Sequence, residues 1–140
     1  MSILVRAACL TNFREVAIAS GLNPVRLLLD AGLSPNVLDD PDLMIPVERV
    51  SPLLHASALA SGNESFGLSM AKSRLLSNMG AVGLLMRDQV TLRESLATLV
   101  RHHGMLNGAL TLGIDEFGST VVIREVLMTG RTPQPARQRV

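Results

Sequence analysis

Two adjacent histidines, His102 and His103, are the side chains best suited to chemistry in this 140-residue chain. An imidazole can ligate a metal, move a proton or make paired hydrogen bonds. Adjacent residues on a helix point about 100° apart, so one helix face cannot bring both rings to one ion. The i, i+4 histidine spacing of helical zinc sites is absent. His55 could join them only through tertiary contact, and no carboxylate motif lies nearby. The spacing therefore predicts no metal site and no cofactor. For His103 two roles stay open: a satisfied core histidine, or a polar group on the wall of a ligand pocket. Either role needs a hydrogen-bond partner, which Arg124 or a strand backbone group could supply.

The other reactive types predict no catalytic residue. No serine stands in a Gly-x-Ser-x-Gly elbow. Gly80-Ala81-Val82-Gly83 lacks the preceding strand and the following Lys-Ser/Thr of a phosphate loop. It reads as a place where another backbone approaches a helix. Cys9 is the single cysteine, so no disulfide framework exists, and a reducing cytoplasm fits. Asp39, Asp40 and Asp42 surround Pro41 and read as a solvated turn, and Arg87-Asp88 and Arg93-Glu94 as a solvated rim.

The elements that must position His103 lie within Ser77–Asn107. Two apolar helices are expected there, broken at Asp88-Gln89-Val90. The second opens with a capping box, in which Thr91 accepts from the Glu94 N–H while Glu94 reaches back to the Thr91 N–H. Leu92, Leu96, Leu99, Val100, His103 and Leu106 then share one side at helical spacing. Met70, Met79, Met86 and Met105 read mostly as core, although Met also makes adaptable pocket walls.

Upstream, Leu10, Phe13, Val16, Ala17 and Ser20 predict a helix ended by Gly21, after a lead-in over residues 1–8. Asn23-Pro24 caps a short helix stopped by Gly32, and Ser34-Pro35 starts one turn through Leu38. A helix is expected from Pro46 to about Ala60, with Pro52 either kinking it or marking its true start. Asn63 is expected to cap the next helix, with Phe66, Met70 and Ala71 facing in. After Gly108 the period changes to two. Leu110, Leu112 and Ile114 alternate, Asp115–Gly118 turns, and Thr120–Leu127 is β-branched. A lone hairpin is marginal in water, so this one must pack on the helices or pair with another chain.

Composition narrows the class. With 47% hydrophobic residues the chain is not disordered, and with 2% aromatic residues it lacks the stacking platforms of single-strand binders. A net charge of +1 suits neither a nucleic-acid-coating nor a membrane-coating surface. No apolar run reaches bilayer length. The fold class expected is α+β, mostly helical, with a C-terminal antiparallel hairpin packed on the helices. Residues 1–128 form the domain, and residues 129–140, RTPQPARQRV included, a linker or disordered tail.

Ile45-Pro46 before a helix, Phe66-Gly67-Leu68, Met79-Gly80 with Gly83, and Thr91-Leu92-Arg93-Glu94-Ser95-Leu96 form an ordered set. Gly21, Asn23-Pro24, Leu33, Pro35 and Leu38-Asp39-Asp40 precede it. Over roughly Val5 to Leu127 the chain resembles the N-terminal, arabinose-binding-type domain of AraC-family transcriptional regulators. The resemblance implies a bacterial, cytoplasmic sensor of a small-molecule effector, not an enzyme, with a possible homodimer as its assembly. It implies contact with DNA only through a C-terminal helix-turn-helix domain, for which residues 129–140 would be the connection. This branch often carries an aromatic residue where His102-His103 stand, and no sugar preference is carried over. Met86, Leu99, His103, Asn107 and Arg124 are the candidate ligand-lining residues, with Arg124 the natural partner of a carboxylate if its strand face turns inward. The rival readings are a helical interaction module without a ligand and a small enzyme using His102 or His103.

Overall fold

In a computed structural model the protein is described over residues 2–128. The expected linker at residues 129–140 lies outside the described residues. The architecture is α+β, with a helical body and a C-terminal hairpin.

The first helices are short, and of them only that over Pro24–Asp30 carries a side-chain cap. A 3-10 turn at Ala7–Leu10 leads into α1 (Phe13–Ala19). This splits the helix expected from Leu10, because Asn12 takes a left-handed φ of 68° between the two pieces. Its side-chain amide donates to the Met70 carbonyl at 2.9 Å and to Ser73 Oγ at 2.8 Å. Helix α2 (Pro24–Asp30) starts as expected, with Asn23 Oδ1 accepting from the Arg26 N–H at 3.1 Å and Pro24 at the first position. Pro35–Leu38 is the expected single turn.

Helix α3 (Val47–Ser61) runs through Pro52 without a break. The proline stands early in the helix, where the bond it cannot make is to the carbonyl of Glu48. That residue is exposed, so water can replace the missing donor. Gly62 ends α3 in a left-handed conformation, φ 66°. Helix α4 (Phe66–Ala71) follows, with Ser65 rather than Asn63 at its N-cap. Asn63 Oδ1 instead accepts from the Ser65 N–H at 3.0 Å and makes the turn before it.

Two strands lie where a lead-in and a helix approach were expected. β1 (Leu4–Arg6) and β2 (Met44–Pro46) pair antiparallel with Val5 opposite Ile45. On the other side of β1, Gly108 N donates to Leu4 O at 3.0 Å and Arg6 N to Leu106 O at 3.1 Å. The chain start is thus held between two segments far from it in sequence. Strands this short show no period of their own, so only these partners define them.

The continuous core cluster lies within Val5–Met70. Phe13, Phe66, Leu10, Leu28, Leu53 and Met70 are its largest fully buried side chains. The Phe13 and Phe66 rings meet at 5.8 Å and 60°, and burial of each is worth about 1.5–3 kcal/mol. A 3-10 turn at Leu76–Met79, α5 (Gly80–Arg87) and α6 (Leu92–His102) form the second helical layer. A turn at His103–Met105 then leads to β3 (Leu110–Phe117) and β4 (Thr120–Leu127). Phe117 pairs with Thr120, so Gly118 and Ser119 form a two-residue loop with Gly118 at φ 61°. The first strand is therefore longer than its alternating residues suggested. The hairpin meets the helical body chiefly through β3, which runs beside α6 and the turn after it, while every residue of β4 is exposed.

Candidate functional site

Helix α6 begins with the capping box read from its sequence. Glu94 N donates to Thr91 Oγ1 at 3.2 Å, and Thr91 N to Glu94 Oε2 at 3.1 Å. The helix is tied to α5 where Ser95 Oγ donates to the Met86 carbonyl at 3.2 Å. Gly83 lets the preceding turn close on α5. A Cβ there would stand 2.2 Å from the Leu76 carbonyl oxygen, which is the close backbone approach its spacing suggested.

The α6 stripe is half-buried rather than sealed. Leu96, Leu99, Val100, His103 and Leu106 are partly covered and Leu92 is exposed. The one buried residue of α6 is the polar Thr98. Both histidines turn back on their own helix. His102 Nδ1–H donates to the Thr98 carbonyl at 2.9 Å and His103 Nδ1–H to the Val100 carbonyl at 2.6 Å. A carbonyl can only accept, so Nδ1 carries the proton, and Nε2 of the neutral ring is the nitrogen left to accept from a ligand. His103 thus takes its partner from Val100, not from Arg124. His55 is exposed on α3. Among the described residues no three His, Cys, Asp or Glu side chains gather as metal ligands would.

Four of the five candidate lining residues are half-buried around the helical layer. Met86 is on α5, Leu99 lies one turn before His103, and Asn107 ends the segment. Asn107 has a structural task as well. It bridges to Val5, and its Oδ1 accepts from the Ala109 N–H at 2.9 Å, shaping the bend into β3. Arg124 is elsewhere. Glu116 of β3 pairs with Arg93 of α6, so the face carrying Leu110, Leu112, Ile114 and Glu116 is the one toward the helix. Arg124 opposes Gly113 on the other face, where it pairs with Asp115. Its strand face turns away from α6.

Sequence reasoning missed a junction that joins the two helical layers. Arg6, 12% exposed at its side chain, donates through Nε to Asp42 Oδ1 at 3.1 Å and through Nη1 to the Asn78 carbonyl at 3.3 Å. Its guanidinium lies against Gly80, where a Cβ would come within 2.7 Å. No local spacing could have shown this, because the partners are 36 and 72 residues away. An open groove of about 290 Å³ lies nearby, lined by Thr11, Asn12, Arg14, Glu15, Leu38 and Asn78 among others. None of the five candidate residues lines it.

A family model described as the arabinose-binding domain of AraC transcription regulators, N-terminal, matches residues 21–140. The chain belongs to this family. Comparison with curated proteins gives no match. The AraC-type domain is a regulatory, ligand-binding family rather than an enzyme family. Among the described residues of this AraC-type domain, no helix is long and apolar enough to cross a membrane.

Proposed function

We propose that this chain is the effector-sensing domain of a bacterial AraC-type regulator, and that a small molecule binds between α5, α6 and β3. The observation that carries this reading is the contrast between the two halves. The continuous core ends at Met70, and among the described residues beyond it only Val82, Gly83, Thr98 and Ala109 are buried. A layer with so few buried contacts belongs to the low-stability end of a fold, from which ligand-responsive elements are drawn. A ligand that fills it favours one arrangement of dimer or linker, and thereby changes DNA binding by a separate domain. Met86, Leu99, His103 and Asn107 are the proposed wall, with His103 Nε2 as the hydrogen-bond acceptor.

Thermal-shift measurements with monosaccharides, L-arabinose included, and small carboxylic acids test it. A ligand at a hundred times its Kd adds about 2.7 kcal/mol to the folded state. The expected result is a rise in Tm that disappears in His103→Ala and Leu99→Ala variants whose own melting is cooperative. Arg124→Ala, on the far face of the hairpin, retains the rise. A rise that survives both wall variants, or no rise with any compound, overturns the proposed site.

A further inference from the structure

The groove beside the Arg6 junction is bounded by both helical layers. Asn78 comes from the turn before α5, and the other lining residues come from the N-terminal half. Its volume of about 290 Å³ stands at the lower end of small-molecule sites, roughly 300–1,000 Å³. Leu10, Val37 and Pro41 give it an apolar floor, and Leu10 and Val37 belong to the core.

The polar lining divides according to what its own hydrogen bonds leave free. Thr11 donates its hydroxyl proton to the Ala8 carbonyl at 2.7 Å. Asn12 donates its amide group to the Met70 carbonyl and to Ser73 Oγ. What remains on each is an oxygen that accepts. Glu15 makes no ion pair among the described residues. Thr11, Asn12 and Glu15 thus offer acceptors only. Asn78 and Arg14 offer the opposite. Asn78 Oδ1 accepts from the Leu75 N–H at 2.7 Å, which leaves the Nδ2 hydrogens free. Arg14 gives Nη2 to Asp39 at 2.8 Å, which leaves N–H groups on Nε and Nη1.

We propose that this groove is a second ligand site, and that it takes a small aliphatic α-amino acid. An ammonium group carries three donors and no acceptor, which matches Thr11, Asn12 and Glu15. A carboxylate carries acceptors only, which matches Asn78 and Arg14. An aliphatic side chain covers the apolar floor. A neutral polyol fits less well, because it leaves the Glu15 charge without a counter-charge. A bound amino acid ties Asn78 to α1, and so holds the start of α5 against the N-terminal half. The groove is separate from the wall of Met86, Leu99, His103 and Asn107, and this inference does not rest on that reading.

Isothermal titration calorimetry of the chain with L-alanine, L-valine and L-leucine tests it. At least one is expected to bind saturably, one molecule per chain. Glu15→Gln and Arg14→Gln, both at exposed positions, should keep the parent Tm and weaken binding about tenfold or more, the scale of a lost hydrogen bond to a charged group. The N-acetyl derivative of the bound amino acid lacks the ammonium and its amide lacks the carboxylate, and both should bind correspondingly more weakly. A His103→Ala variant that melts cooperatively should bind as the parent does. Absence of binding by all three amino acids overturns the proposal. So does an affinity unchanged in Glu15→Gln, an N-acetyl derivative that binds as tightly as the free amino acid, or binding that is lost in His103→Ala and kept in Glu15→Gln.

Discussion

Arg6 and Cys9 sit close together in sequence and are handled by different physics. Arg6 is a covered charge with two bonded partners, and truncation removes the donor to the Asn78 carbonyl and the pair with Asp42, whose own side chain is 78% exposed and can turn to water. Arg6→Ala should cost about 1.5–3 kcal/mol in urea unfolding, the range for hydrogen bonds to charged groups. Arg26→Ala removes an exposed i, i+4 pair with Asp30 and should change stability by less than about 0.5 kcal/mol. Equal losses from the two variants would remove Arg6 as a junction. Burial pushes the Cys9 thiol up from its ordinary 9.0 to about 11, with Arg74 opposing the shift. A raised acid favours the folded state while it remains neutral. That contribution is fully present below pH 9 and is lost as pH rises toward 11. Iodoacetamide labelling of the native protein should therefore stay slow at pH 8 and climb only toward pH 11, whereas the urea-unfolded chain labels readily near pH 9. Rapid native labelling at pH 8 would show the thiol to be accessible and unshifted.

At the scale of elements, α6 and α5 depend on opposite devices. Helix α6 depends on side-chain bonds that its sequence announces, the reciprocal pair between Thr91 and Glu94. Thr91→Ala should lower stability by about 1 kcal/mol, and Thr91→Ser should restore most of it. Helix α5 depends on the absence of a side chain. Gly83→Ala would drive a Cβ into the Leu76 carbonyl, so it should cost at least about 1–3 kcal/mol despite the better helix propensity of alanine. A Gly83→Ala protein melting at or above the parent temperature would remove the close approach as a constraint. The capping box was legible because all its parts lie within four residues. Gly83 was legible as a contact, but which backbone it meets was not. β1 and β2 were not legible as strands, since three-residue segments are defined by partners at a distance.

For the whole molecule, the uneven distribution of the core predicts uneven stability. Native-state hydrogen exchange should protect α1 and α3, around Phe13 and Leu53, most strongly. α5, α6 and β4 should open at lower free energy. A bound effector should slow exchange chiefly in α5, α6 and β3. Uniform protection across both halves would remove the contrast on which the sensing role rests. The composition already pointed to a helical body without aromatic platforms. It could not show that almost all the sealed packing falls before Ala71, because periodicity marks which face of an element is apolar, not whether another element covers it.

The sequence by itself determined the devices that act over short range: the Asn23 and Thr91 caps, the hairpin and the family to which they belong in order. These are local because backbone donors and turns are satisfied within a few residues. Only the tertiary structure decided the orientation of the candidate site. It turned Arg124 to the far face of the hairpin, gave His103 the Val100 carbonyl, and set Arg6 between Asp42 and Asn78. Facing is settled by which strand lies against which helix. For β4, whose residues are all exposed, the facing follows from its register with β3, which itself lies beside α6.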